Sequence, residues 1–306
     1  MQDFDLVVIG AGAAGLTAAT FAARYGLKVV VVERIGAGGQ IINADSIVNF
    51  PGFPGGIAGH ELGPLLHEQA EAAGAEFALD TVAAIELAGA HRVVRGATDA
   101  WRARAVIIAA GSAPRPLGIA GETQFLGRGV SHCATCDGPL FAGQEICVVG
   151  GGDTALDEAL VLARHAARVM VFHRGARLSA QQALVDKAAA SPEIALAAET
   201  SVEEILGEDA VSGVRVRAGR TRASRVQNVK GVFVCVGLAP NTAFVGGLLA
   251  LDAAGQIETD IALRTSVEGI FAAGDIRSGS VAQLATAAGD GATAAISAFR
   301  HLEPRE

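Results

Sequence analysis

The sequence predicts an α/β protein of two Rossmann-like, three-layer nucleotide-binding domains, the second inserted into the first. Three observations lead there. A Val/Ile run followed by a glycine loop and an Ala-rich segment occurs twice in full. Leu6-Val7-Val8-Ile9 precedes Gly10-Ala11-Gly12-Ala13-Ala14-Gly15, and Ile146-Cys147-Val148-Val149 precedes Gly150-Gly151-Gly152-Asp153-Thr154-Ala155. Uninterrupted β-branched runs of this kind belong to strands buried on both faces of a parallel sheet. The length of 306 residues suits two domains at roughly 150 residues each. Apolar residues at 51% against 18% charged supply a large core and exclude a disordered chain.

Taken in order, the strand at 6–9 opens a helix that runs to about Tyr25, where Gly26 stops it, and a buried strand at 28–32 ends at Glu33. This is a complete βαβ unit. In Gly10-x-Gly12-x-x-Gly15 the glycines permit a tight turn and close backbone approach to a pyrophosphate lying on the helix N-terminus. Glu33 stands about twenty residues on, at a strand end, where an acid hydrogen-bonds a ribose hydroxyl of FAD or NAD. Residues 82–106 alternate in polarity and read as a small antiparallel addition.

Pro114-Arg115-Pro116 and Pro240-Asn241 are stiff, turn-favouring sequences and mark two crossings between domains. Residues 1–113 and 243–306 then form one discontinuous domain, and 114–242 the inserted one. The second unit continues as a helix at 156–165 and a strand at 169–172, with another antiparallel addition at 195–232. His173, Arg174 and Arg177 stand where the first unit has its acid, so this loop reads as a nicotinamide site, with NADPH favoured by the bases. A third segment, Gly269-Ile270-Phe271-Ala272-Ala273-Gly274-Asp275, feeds an Ala-rich helix at about 281–299 and has no returning strand. That suits a C-terminal segment docking back on the first domain.

A net charge of −8, from 32 acids and 24 bases with no Lys/Arg tract, excludes nucleic acid and anionic membranes as partners. Aromatics at 5% offer little for base stacking. The N-terminus lacks a basic signal region. The uncharged stretch 231–251 is broken by Pro240-Asn241-Thr242 and reads as a buried strand and loop rather than a membrane span. A soluble, cytoplasmic protein is expected.

Four cysteines are too few for a secreted disulfide scaffold, so their placement decides. Cys133-Ala134-Thr135-Cys136 is either redox-active or half of a zinc site. Cys147 and Cys235 stand alone in apolar strands and one adjoining His132 does not complete a ligand set, so no metal is expected and redox chemistry is favoured. Asp137 follows directly, as a turn residue or as a proton relay for thiolates released on disulfide reduction.

Glycine loop, CATCDG, second glycine loop and C-terminal Gly274-Asp275, in that order, resemble the low-molecular-weight thioredoxin reductase family of flavin disulfide reductases. Gly38-Gly39-Gln40, Asn49-Phe50-Pro51-Gly52, Ala109-Ala110-Gly111, and Gly237 with Pro240-Asn241-Thr242 also stand where that family has them. The resemblance covers essentially the whole chain. It implies a homodimer with FAD held by Gly10, Gly12, Ala13, Gly15, Glu33 and Arg34. Gly39, Gln40, Asn49, Val82, Ala110 and Gly111 would complete one side of that site, and Gly274, Asp275, Ala282 and Gln283 the other. NADPH or NADH would lie on Gly152, Asp153 and Thr154, with His173, Arg174 and Arg177 at the ribose. It further implies Cys136 nearer the flavin, Cys133 attacking the partner disulfide, and Asp137 as the acid. Domain rotation, with hinges near Pro114 and Pro240, would alternate the cysteine pair and the nicotinamide at the flavin.

Three departures stand out. The family's His-Arg-Arg with a further Arg becomes His173-Arg174-Gly175 and then Ser179, which removes two charge-assisted bonds worth roughly 1.5–3 kcal/mol each to a 2′-phosphate. The two aromatics after CATCDG that dock thioredoxin are Pro139-Leu140, and the basic residue before Gln283 is Ala282. The expected function is transfer of electrons from NAD(P)H through FAD to Cys133–Cys136 and on to thioredoxin or another small redox protein. The alternative is a dithiol oxidase using oxygen, with a degenerate nicotinamide site.

Overall fold

The computed structural model describes residues 1–44, 46–219 and 223–303. The chain divides into two compact units, Met1–Ala113 with Ala239–Glu306, and Pro114–Leu238. In chain order the first unit begins with β1 (Gln2–Ile9), α1 (Ala13–Arg24), β2 (Val29–Glu33), α2 (Gly59–Ala72) and β3 (Glu76–Leu79). A meander of β4 (Val82–Ala88), β5 (His91–Gly96) and β6 (Ala100–Ile108) follows, then β7 (Ser112–Pro114). The second unit holds β8 (Val130–Ser131), α3 (Ala134–Asp137), β9 (Glu145–Val149), α4 (Asp153–Leu162), β10 (Arg168–Phe172), α5 (Gln182–Ala190) and β11 (Ile194–Ala197). It continues through β12 (Thr200–Gly207), β13 (Val211–Ala218), β14 (Ser224–Asn228) and β15 (Gly231–Val234) to β16 (Leu238–Pro240). The chain then returns with β17 (Ile270–Ala272) and α6 (Leu284–Leu302) to the first unit.

In the first unit β3, β2, β1 and β6 run parallel in that order, and β17 joins the C-terminal half of β6, also parallel. β5 and β4 extend the sheet antiparallel from the first half of β6. The register places Val7 beside Val30 and Val106, and Val8 beside Val31 and Ile107. Because side chains alternate across a strand, one face carries Leu6, Val8, Ile107 and Phe271 into a core with α1 and α6. The other carries Val7, Ile9, Val106 and Ile270 against Ile85 and Val94 of the meander and against Val245 and Leu249. Both faces are therefore covered, which is why these strands read as continuous apolar runs. Ile107 is fully buried, and truncating it to Ala would cost about 2–5 kcal/mol.

Helix α1 ends where it was expected, and Gly26 beyond it adopts φ +81°. Helix α6 starts at Leu284, after Ala282 at φ +50°, a left-handed conformation that no helix continues, and so begins about a turn later than the composition indicated. It packs closely on α1, where a Cβ on Gly291 would lie 2.2 Å from the Ala14 carbonyl oxygen.

The second unit repeats the plan with β11, β10, β9, β15 and β8 in a parallel sheet. Its antiparallel sheet is β12-β13-β14 alone. The ends of the expected 195–232 stretch pair in parallel instead: β15 is fully buried beside β9, and β11, half-buried at the sheet edge, lies beside β10. Helix α4 starts at Asp153, directly on the glycine loop, and ends at Leu162.

Candidate active site

In the first unit, strands β1, β2, β6 and β17 end side by side, and the candidate residues gather at these carboxyl ends, where open α/β sheets bind ligands. The Gly10 N–H donates to the Val32 carbonyl at 2.8 Å. A Cβ on Gly10 would sit 2.5 Å from Ala109 O, and one on Gly15 would sit 1.9 Å from Gly10 O, so neither position tolerates a side chain. Gly12 differs, because nothing lies within 4 Å of its missing Cβ. It is the N-cap of α1, no side chain caps that helix, and no acid occupies its first turn, which starts at Ala13. The first N–H groups of α1 are thus free of competing carboxylates, which is the chemistry that accepts a phosphate group.

Around this loop the structure assembles most of the predicted set. Glu33 Oε2 accepts from the Ala11 N–H at 2.8 Å, and Oε1 from the Arg34 and Ile35 N–H groups at 2.8 and 3.1 Å, so the acid is fixed beside the glycine turn. The Arg34 side chain is exposed. Gly38 N–H donates to Ala11 O at 2.8 Å, and a Cβ on Gly39 would lie 3.1 Å from Gly12 Cα. Gln40 Nε2 donates to Ser112 O and Oγ at 2.9 and 3.1 Å, reaching the chain just past Ala110-Gly111. Asn241 clasps the same turn, its Nδ2 donating to Ala110 O at 2.8 Å and its N–H to Gly111 O at 3.0 Å. Asn49 Nδ2 donates to Gln283 Oε1 at 3.1 Å. Val82 packs on the core face shared by Ile9, Val32 and Ile108, at the ends of the strands that lead into the candidate loops. Ala282 is exposed and takes part through its N–H, given to Ser280 Oγ at 3.2 Å.

Gly274 and Asp275 follow β17. Burial pushes the Asp275 carboxyl above the usual carboxylate range, against a hydrogen bond from Ser280 and with help from the charge of Asp290. Asp290 was not singled out in the sequence. From the middle of α6 it accepts from Gly274 N–H at 3.0 Å and from Arg277 Nε and Nη2 at 2.6 and 2.9 Å.

The second unit builds a similar cradle with different detail. Gly150 N–H donates to Phe172 O at 3.0 Å, and a Cβ on Gly150 would lie 2.1 Å from Cys235 O. Gly152 caps α4 without a side-chain bond. The segment after β10 folds over the loop: Ser179 N–H donates to Gly151 O at 2.8 Å, and Gln181 gives its N–H and Nε2 to the two oxygens of Asp153, each at 2.7 Å. Gln181 thus fixes both carboxylate oxygens of Asp153 at the start of α4, with Thr154 exposed beside it. His173 is buried, which lowers its pKa, and a Cβ on Gly151 would lie 3.0 Å from its own Cβ. Arg174 and Arg177 are exposed. The arrangement thus sets His173 against Gly151 of the loop and leaves both arginines exposed.

Cys133 and Cys136 are joined in a disulfide, with Cα atoms 5.4 Å apart. Cys133 is the N-cap of α3, and its Sγ accepts from the Cys136 N–H at 3.1 Å. Cys133 N–H donates to Ser131 Oγ at 3.0 Å, and His132 Nδ1 lies 3.1 Å from Val234 O. Asp137 closes the helix, its N–H bonded to Cys133 O at 3.1 Å. Glu158 of α4, also missed in the sequence, accepts the Ala134 N–H with Oε2. Burial raises its pKa to about 7, the Ala134 bond opposing and Asp157 assisting. Cys147 and Cys235 are free thiols with pKa values raised by burial, and are inert packing groups by that measure. Among the described residues no three His, Cys, Asp or Glu side chains are grouped to hold a metal ion, and no helix is long and apolar enough to cross a membrane.

A sequence profile of the pyridine nucleotide-disulphide oxidoreductases matches residues 4–291. A thioredoxin reductase of Treponema pallidum is 43% identical over 304 residues, covering 98% of each chain. The crystal structure of Lactococcus lactis thioredoxin reductase superposes with a TM-score of 0.96 at 39% identity, over 98% of this chain and 99% of that one. That of the T. acidophilum thioredoxin reductase gives 0.94 at 35% identity, with the same coverage. The chain belongs to the pyridine nucleotide-disulphide oxidoreductase family, the class its two glycine-loop cradles and cysteine pair define. Within that class it falls among the low-molecular-weight thioredoxin reductases, and its activity is that of an NAD(P)H-dependent flavoprotein disulfide reductase.

Proposed function

We propose that the protein reduces the disulfide of thioredoxin or a similar small redox protein, acting as a cytoplasmic homodimer. The observation that carries this reading is the Cys133–Cys136 disulfide at the start of a short helix, in a chain with two cradles for dinucleotides. Residues 1–113 and 243–306 are assigned to FAD, on the uncapped start of α1 and the Glu33 carboxylate. Residues 114–242 are assigned to NAD(P)H, on the start of α4 with His173, Arg174 and Arg177 at the ribose end.

Bound FAD supplies the passage of two electrons from a nicotinamide to the disulfide. The chain's own residues do the rest. Reduction by those two electrons opens the Sγ–Sγ bond and leaves Cys133 as a thiolate and Cys136 as a thiol, whose proton is taken from Asp137. The Cys133 thiolate attacks one sulfur of the partner disulfide, giving a mixed disulfide and releasing the partner's other sulfur as a thiolate. Cys136 then gives its proton to the departing sulfur as it displaces the partner from Cys133, which restores the internal disulfide; with the first thiolate protonated by water, the partner leaves as a dithiol. The sulfur at the N-cap receives a hydrogen bond from Cys136 N–H, which favours Cys133 as the attacking group.

The test is anaerobic mixing with NADPH and with NADH, followed by addition of thioredoxin. Loss of the flavin's visible absorption with either nucleotide, and its return when thioredoxin is added, is expected. A flavin that neither nucleotide reduces would reject the proposal. With one charged pair of arginines in place of the family's larger set, NADPH and NADH should differ less than about a hundredfold in kcat/KM.

A further inference from the structure

We propose that Glu158 is a positioning residue for the redox helix, seating the first turn of α3 and opposing the ionisation of Cys133. This rests on the reading of Cys133–Cys136 as the reactive pair.

The argument begins with the hydrogen bonds at the start of α3. Cys133 is its N-cap, in an extended conformation at φ −144°, so its sulfur faces the N–H groups of the first turn. Sulfur in that place is stabilised as thiolate by those donors. One of them, the N–H of Cys136, is bonded to Cys133 Sγ at 3.1 Å. Another, the N–H of Ala134, is bonded to Glu158 Oε2 instead. Ala134 is fully buried, so water does not compete for that donor. Glu158 therefore does two things at one atom. It ties the redox helix to α4, the helix that opens from the second glycine loop, and it sets a carboxylate where a thiolate would otherwise draw on the same positive end. Both the lost donor and the added negative charge disfavour ionised Cys133.

The surroundings of Glu158 make this opposition depend on pH. The charged and titratable groups on the elements packed against α4 are Asp137 of α3, Asp186 and Lys187 of α5, Glu145 and Cys147 of β9, and Arg168 of β10. His132 precedes α3, and Asp157 neighbours Glu158 on its own helix. Asp157 acts on Glu158 directly, and Glu158 in turn raises the Cys235 thiol just past β15. Burial lifts the Glu158 titration to about 7. Below that pH the carboxyl is neutral and the opposition is weak; above it the charge is present and the Cys133 thiol is held protonated to higher pH. A reductase built this way keeps Cys133 from ionising prematurely while leaving α3 firmly seated.

The test uses the FAD-loaded enzyme, reduced anaerobically with a phosphine so that neither nicotinamide nor thioredoxin is involved. Alkylation of Cys133 by iodoacetamide is followed by peptide mass analysis from about pH 5 to 9, a range that spans the Glu158 titration at about 7 and the ordinary thiol value of about 8.5. Wild type should show a profile in two steps, with an inflection near the Glu158 titration. Glu158→Gln keeps an acceptor oxygen for Ala134 and removes the charge. Its profile should follow a single titration moved about one unit lower, roughly tenfold more thiolate in the mid-range. Glu158→Ala removes the acceptor as well and should speed amide hydrogen exchange at Ala134, which Glu158→Gln should not. A single-step wild-type profile overturns the proposal without any variant, and so does a Glu158→Gln profile that matches wild type. Because the readout is thiol ionisation, its failure is distinct from a flavin that NAD(P)H does not reduce.

Discussion

The ion pair between Asp290 and Arg277 gives the most quantitative prediction. Asp290 lies in the middle of an Ala-rich helix and collects three donors from the loop after β17: Gly274 N–H at 3.0 Å, Arg277 Nε at 2.6 Å and Arg277 Nη2 at 2.9 Å. The two side chains are only 12% and 20% exposed. Gly274 takes φ +78°, and a Cβ there would lie 3.0 Å from Ala14 Cβ, so the turn that presents Asp275 is held tightly between α1 and α6. Asp290→Ala strips the acceptor from a guanidinium and a backbone N–H together. Breaking one side of a buried pair costs about 3–5 kcal/mol, and the residual exposure lets water reach Arg277, so about 3 kcal/mol is expected. For a unit of this size, each kcal/mol lowers the melting temperature by about 2–4 °C, giving a fall of about 6–12 °C. The assay is calorimetry of the FAD-stripped protein, which isolates packing from cofactor binding, with FAD content measured separately on the purified holoprotein. Arg277→Lys, which keeps the charge and loses the two-pronged geometry, should fall between the two. If Asp290→Ala melts within about 2 °C of wild type and retains full FAD, the loop is not held by this pair and the reasoning fails.

Other outcomes follow from single sites. Gly15→Ala places a Cβ 1.9 Å from Gly10 O, so the purified protein should lose most of its flavin absorbance and about 1–3 kcal/mol of stability in denaturant melts. Cys136→Ser should abolish turnover of disulfide substrates while NAD(P)H still reduces the flavin under anaerobic conditions, since Cys136 lies outside both glycine loops. Asp80 is buried, which by itself raises its pKa. N–H bonds from Asp99, Thr98, Thr81 and Ala97, together with the Thr98 hydroxyl, outweigh that and hold it well below the usual range. Its folded value being depressed, the stability it contributes is complete above the unfolded value of about 3.9 and is lost as pH falls toward the folded one. Thermal melts of wild type should therefore decline below about pH 4, and Asp80→Asn should start less stable and decline less over the same range.

How much of this was legible in the sequence follows from how local each feature is. Strands β1, β2, β9 and β10 were legible because burial on both faces writes itself as unbroken Val and Ile. The glycine loops and Glu33 were legible because strand, turn and helix are contiguous and the acid returns on the next strand. The start of α6 was not, because an Ala-rich run looks helical up to Ser280 and only the left-handed Ala282 interrupts it. Nor were Glu158 and Asp290. Each reads as an ordinary solvated acid on a helix, and each is defined by a partner on another element, Ala134 in one case and Arg277 in the other. An acid amid the small residues of α6, a helix packed closely on α1, was the one available signal for Asp290.

The two cradles also show why similar motifs should not be weighed alike. In both, the first glycine is dictated by a carbonyl of the neighbouring strand segment: Ala109 O lies 2.5 Å from the missing Cβ of Gly10, and Cys235 O lies 2.1 Å from that of Gly150. The third position diverges. Gly15 sits so close to Gly10 O that a Cβ is excluded, whereas Ala155 occupies the corresponding place and its Cβ is 3.0 Å from where a Gly150 Cβ would be. Helix α1 thus has no room for a side chain at the third position where α4 carries a methyl, and its N-terminus carries no acid, while that of α4 carries Asp153 restrained by Gln181. The tighter, acid-free cradle suits a cofactor that stays bound, and the looser one a nucleotide that must leave after each turnover. The same contrast holds at the residues proposed for the two ribose groups. Glu33 is fixed by three backbone N–H groups, whereas Arg174 and Arg177 lie on an exposed loop. On the cofactor assignment proposed above, residence and exchange follow from backbone geometry at the two loops, and the cysteine helix, bonded to α4 through Glu158, belongs to the exchanging unit.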